Sequence, residues 1–372
     1  MKMKILYLAP LPHSLAFSFL MLINAVTVFA STGADDSAGV GANASFELKT
    51  QDVDFFDQKA NRPAKVKFWY QADTRACDAK ICLRSAQNKH KVAVISHGAF
   101  GSPNSMNWLG YALASQGWIV AGVAHYGESW VYGQDTIDPS VLQRFWQRPQ
   151  EISFVIDSLT KSGLFNHSLE TDDIVMFGHS SGGFTALAMA GAKLAAGKSE
   201  AYCMSEKAKD DKGCDYSAKK ASSVESSSVN SSSVKNSTKP LSKEMLEKIG
   251  ILQAQMKDER ITSVIAFDPA LGHAANEASL KAIKVPTLIL GSVDNDFLPY
   301  ETHAKYYADN IPNAKLVGVE QGAGHFIYID DCNNDREVKG VPLCKDRDGV
   351  DRKALQKQLL NHVFQFISSG KN

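Results

Sequence analysis

Short apolar runs recur along the chain, separated by longer stretches in which apolar residues return every third or fourth position. The runs Val92–Ser96, Trp118–Ala124, Ile174–Phe177, Ile261–Phe267, Thr287–Gly291 and Ala314–Val319 read as buried strands. Lys65–Tyr70 alternates polar and apolar positions, which predicts an antiparallel edge strand. Between the runs lie helical patterns. One starts at Pro103 and stops at Gly117, and one spans Pro149–Ser162 with Ile152, Val155, Ile156 and Leu159 on a single face. Others cover Thr185–Ala196, Glu301–Asp309 and Ala354–Ile367. Strands alternating with helices predict an α/β fold, a mostly parallel central sheet with helices on both faces.

Two stretches break the alternation. At the start, Lys2 and Lys4 precede an apolar run, Leu15–Phe29, and Val28-Phe29-Ala30 offers a peptidase site. This reads as a signal peptide over residues 1–30, cleaved near Ala30, followed by a leader over 31–60. The run is short for a stable membrane span and has no basic stop beyond it. The expected location is therefore periplasmic or extracellular. The second break is 198–243, a low-complexity insertion in the 61–368 domain, centred on the serine-rich run from Ser222 to Ser233. Such a tract buries too little apolar surface to order itself. It reads as a mobile lid or a surface excursion.

Composition narrows the function classes. The formal net charge is zero, so no basic surface calls for nucleic acid, and 44% hydrophobic residues can build a sizeable core. The six cysteines fall in local pairs, Cys77 with Cys82, Cys203 with Cys214, and Cys332 with Cys344. Each closes a short polar loop, as disulfides of an exported protein do. Zinc-knuckle spacing is not met. No cofactor and no metal are expected.

The chemistry centres on Gly178-His179-Ser180-Ser181-Gly182, between an apolar strand and an alanine-rich helix. A strand-to-helix turn this sharp thrusts its serine above the sheet, and glycines on either side remove the clash. Serine needs a base to become a nucleophile, and the base needs a carboxylate to orient it. In this kind of sheet the chain order is serine, acid, histidine. Ser180 and His325 fill the outer roles, His325 following the last predicted strand between Gly324 and Phe326. Asp294 is the first choice of acid, with Asp296 and Asp268 as alternatives. The oxyanion hole is expected from the backbone N–H groups of Ser181 and Ala99.

Ser96-His97-Gly98, the strand around Val120, Gly178–Gly183 and Gly324-His325-Phe326 together resemble platelet-activating-factor acetylhydrolases and bacterial dienelactone-hydrolase-like serine hydrolases. Arg148-Pro149 and the tail from Cys332 to Arg352 are similar to the bacterial group, and Pro299–Lys305 to cutinase-like polyester hydrolases. The resemblance covers most of 60–368. It implies an α/β-hydrolase fold and cofactor-free hydrolysis of carboxylic esters through an acyl-enzyme, on a small ester or lipid-like substrate. In the mammalian acetylhydrolases the acid follows the strand that here ends at Asp268. Ser180 departs from the cysteine nucleophile of true dienelactone hydrolases, so their substrate is not carried over. The alternatives are a lipase or polyester hydrolase, and a catalytically inactive binding protein on the same fold.

Overall fold

The computed structural model describes residues 46–85, 89–216, 243–332 and 334–369. The expected signal peptide and the serine run lie outside the described residues. Eight strands form one sheet in the order β1-β2-β4-β3-β5-β6-β7-β8. They are β1 Glu47–Asp57, β2 Arg62–Ala72, β3 His90–Ser96, β4 Ile119–Ala124, β5 Leu169–His179, β6 Ile261–Phe267, β7 Thr287–Ser292 and β8 Ala314–Val319. β1 pairs antiparallel with β2, and β2 with β4; the remaining pairs are parallel. This is the mostly parallel sheet that the alternation predicts, in the α/β-hydrolase arrangement that the resemblance implies.

The pleat explains the two cores. Along β3, Val92 and Val94 face one way and Ala93 and Ile95 the other, all of them buried. The first face packs under α2 (Gln147–Ser158) and α3 (Ser181–Met189), burying Ile152, Val155, Phe184 and Leu187. The second packs under α1 (Asn107–Ser115), burying Leu109 and Leu113 with Trp69 and Phe177. A central strand covered on both faces reads as a continuous apolar run, which is why periodicity finds it.

Three expectations are corrected. Residues 47–57, placed in the leader, form β1, paired with β2 along its whole length. The strand around Lys65–Tyr70 is consequently not the sheet edge. The insertion is folded at its start: α4 (Lys198–Cys203) and two 3-10 turns run to Tyr216, and α5 (Lys243–Ala254) follows the undescribed part. Short helices α6 (Glu277–Lys281) and α7 (Ala304–Asn310) flank β7. A small hairpin, β9 (Glu337–Val338) with β10 (Val341–Pro342), precedes the long α8 (Arg352–Ser369). All three cysteine pairs are disulfides. Among the described residues no helix is long and apolar enough to cross a membrane.

Candidate active site

The turn between β5 and α3 is built around Ser180, at φ 55° and ψ −119°. A non-glycine residue rarely holds this conformation, so the surroundings must impose it. They do so with backbone bonds: Ser180 N–H donates to Phe267 O at 3.0 Å, and Ala270 N–H donates to Ser180 O at 3.0 Å. A Cβ on Gly178 would run into the Gly182 carbonyl, and one on Gly182 into the Ser96 carbonyl. The first turn of α3 leaves the Ser181 N–H without an intrahelical acceptor and points the helix N-terminus at Ser180.

His325 opens a 3-10 turn after β8. Its ring is buried and stacks on Phe297, centroids 5.2 Å apart and planes within 13°. Its Nδ1 lies 3.3 Å from Asp268 Oδ2. The other carboxylate oxygen accepts the Ser292 N–H at 2.8 Å, and the Asn295 amide donates to Oδ2 at 2.7 Å. Asp268, rather than the expected Asp294, is therefore the carboxylate beside the His325 ring. Asp294 is exposed, and its contribution is a backbone carbonyl that accepts from Arg347 at 2.8 Å. The alternative Asp296 accepts the backbone N–H of His325 at 3.0 Å and pairs with Arg347 at 3.1 Å, so it holds the histidine's backbone rather than its ring. Register explains the exchange. Phe267 is the β-partner of His179, so the next residue, Asp268, falls beside the serine turn, while beyond β7 the chain turns out into solvent at Val293 and Asp294.

Burial drives the electrostatics of the pair. It pushes the His325 imidazole down to about 3, against the pull of Asp296. It raises Asp268 well above the usual carboxylate range, against the Ser292 and Asn295 donors. Among the described residues no hydrogen bond joins Ser180 Oγ to His325; such bonds commonly tighten only around a substrate. His179, the residue before the serine, reaches the histidine loop. Its Nε2 bonds the His325 carbonyl at 3.0 Å.

The loop after β3 flanks the serine from the other side, and a Cβ on Gly98 would sit 3.4 Å from Ser180 Cβ. Here sequence reading missed Arg148 and Glu128. Both are buried, and the guanidinium forks onto the carboxylate at 2.8 and 2.5 Å. Arg148 also donates to His97 O at 2.7 Å and Gly98 O at 3.3 Å. The Gly98 carbonyl and the Ala99 N–H belong to one planar peptide and point opposite ways. Anchoring the carbonyl therefore aims the Ala99 N–H away from Arg148. Only the Arg148-Pro149 dipeptide was a signal, since the partners are far apart in sequence.

A second serine–histidine–carboxylate chain lies beneath this loop. Ser96 Oγ is 2.8 Å from His125 Nε2, and His125 Nδ1 is 2.8 Å from Glu151 Oε2. Its bonds are shorter than those of the His325–Asp268 pair, yet Ser96 sits inside a regular strand at 0% exposure. Ser180, on its turn, is 8% exposed. Access, not bond length, separates the two.

No family model matches the chain, and no curated protein matches it. Among solved structures it is similar to a ferulic acid esterase from Streptomyces cinnamoneus, with 17% identity over 88% of this chain and 91% of that one, at a TM-score of 0.49.

Proposed function

We propose that the protein is a secreted or periplasmic serine hydrolase of carboxylic esters. The observation that carries this reading is Ser180 on a strained strand-to-helix turn, backbone-bonded to the segment that presents Asp268 to His325. In this reading Ser180 Oγ attacks the ester carbonyl while His325 Nε2 takes its proton. Asp268, itself held by the Asn295 amide, accepts from His325 Nδ1–H so that Nε2 faces the serine, and Asp268 stabilises the imidazolium. The tetrahedral oxyanion is received by the N–H groups of Ala99 and Ser181. His325 then protonates the departing alcohol, and water repeats the sequence on the acyl-enzyme. No cofactor takes part.

Phe297, Phe326 and Leu298 gather beside His325, and Phe100 faces Tyr216 across a centroid distance of 6.0 Å. Apolar side chains beside the base favour a small or apolar acyl group over a charged one. The three disulfides fit an oxidising compartment. A fluorophosphonate probe tests the reading. The folded protein is expected to label at Ser180, and Ser180→Ala is expected not to label. An unlabelled wild type would instead favour a binding protein. Short against long p-nitrophenyl esters, with an insoluble polyester film, separate a small-ester esterase from a lipase or polyester hydrolase.

A further inference from the structure

Outside this site, three metal-ligating side chains converge under the folded start of the insertion. Asp211 Oδ2 is 2.8 Å from His303 Nε2 and 3.6 Å from His273 Nδ1, and the two imidazole nitrogens are 3.4 Å apart. All three residues are buried. They come from separate segments: the insertion, the loop after β6 and the residue before α7. A tetrahedral zinc ion with bonds of about 2.0–2.1 Å separates its ligand atoms by about 3.3 Å. The observed triangle matches that edge closely enough for one ion to sit above its centre within bonding distance of all three atoms.

We propose that Asp211, His273 and His303 form a zinc site, with water as the fourth ligand, that pins the insertion to the loop carrying Asp268. The surroundings orient two of the ligands as such sites require. Gly213 N–H holds the other oxygen of Asp211 at 2.9 Å. Ser199 Oγ lies 3.3 Å from His273 Nε2, which leaves Nδ1 for the ion. His303 Nδ1 faces the Gly272 N–H at 3.4 Å, which in the metal-free protein keeps the ring proton on Nε2, toward Asp211. Zinc replaces that proton, the ring proton moves to Nδ1, and this long contact is given up. Without the ion, the buried carboxylate accepts from His303 Nε2–H and the Gly213 N–H, with His273 Nδ1 farther off at 3.6 Å, and among the described residues no lysine or arginine pairs with it.

Cys203, Cys214 and His273 also bring ligand atoms within 4.8 Å of one another, but the cysteines are joined as a disulfide. The test therefore uses the full chain purified without reductant, stripped with EDTA and returned to chelator-free buffer. Calorimetric titration with Zn2+ is expected to give one ion per chain at a Kd of about 10 µM or tighter, and Co2+ is expected to give the intense visible bands of a tetrahedral site. Asp211→Asn and His303→Gln, each with native circular dichroism, are expected to weaken Zn2+ binding by about 10-fold or more. Wild-type binding weaker than about 10 µM overturns the proposal, as does binding that appears only once the disulfide is reduced, or that either folded variant retains within about 10-fold. Should both variants fail to fold, the Co2+ spectrum of the wild type decides alone.

Discussion

Ser180 combines a positive φ with a hydroxyl that contributes little to packing, so Ser180→Ala is expected to abolish ester hydrolysis while leaving the melting temperature nearly unchanged. Steady-state kinetics beside a thermal melt check both halves. Asp268→Asn is expected to lower kcat by about 10³ to 10⁴, because the imidazole loses the carboxylate that orients it. Asp294→Asn is expected to leave kcat close to wild type, since Asp294 is exposed and works through its backbone. Equal losses in both variants would remove Asp268 from its role. The pH profile follows from burial. His325 must be neutral to accept a proton, and burial lowers its pKa, so it stays neutral to lower pH than a free imidazole. The acid limb of kcat/KM is therefore expected below the free-imidazole value of about 6.5, with the His325–Asp268 pair titrating as one unit. The serine turn was readable because its glycines are a steric requirement visible in the sequence. The carboxylate beside His325 was not, because choosing among Asp268, Asp294 and Asp296 depends on where each strand ends in register, and a shift of one or two residues changes the answer.

Between elements, the site depends on close approaches that admit no added atoms. Gly182→Ala places a methyl against the Ser96 carbonyl, so α3 must move away from β3. The expected cost is about 1–3 kcal/mol of stability, read by denaturant unfolding, with a parallel fall in kcat. Arg148→Lys keeps the charge but loses the fork that joins Glu128 to the carbonyls of His97 and Gly98. Its expected signature is a drop in kcat with KM little changed, since the oxyanion donor is used chiefly in the transition state. A KM effect alone would place Arg148 in substrate binding. Elements with strong periodicity were legible from the chain: the parallel strands, α2 and α8. β1 was not, because Glu47–Asp57 is mostly polar and half-covered, and its place is set by pairing with β2 rather than by burial.

At the scale of the whole molecule, the disulfides close loops near the site. Cys203–Cys214 spans the insertion start and Cys332–Cys344 the hairpin before α8, with separations of 11 and 12 residues. Opening a loop of this size typically costs about 2–4 kcal/mol through the unfolded state. Reduction is therefore expected to lower the melting temperature by several degrees, as calorimetry with and without reductant would show. Cysteine spacing made this framework legible without the fold. The buried Arg148–Glu128 pair and the Ser96–His125–Glu151 chain were not legible, because they join residues that only the sheet order brings together.

Nucleophile and acid are tied directly to each other through Phe267 and Ala270, while the histidine loop hangs from α8: Gln356 donates to the carbonyls of Ile327 and Ile329, and Arg352 to that of Ile329. Synthesis runs from the amino end, so Ser180 and Asp268 exist long before the helix that steadies the base. On the proposed mechanism, a nascent chain stalled before Arg352 has its nucleophile but lacks the three α8 bonds that steady the histidine loop. Stalled chains lacking α8 are expected to ignore a fluorophosphonate probe that the released protein accepts, and labelling of such chains would show that the base is armed without α8.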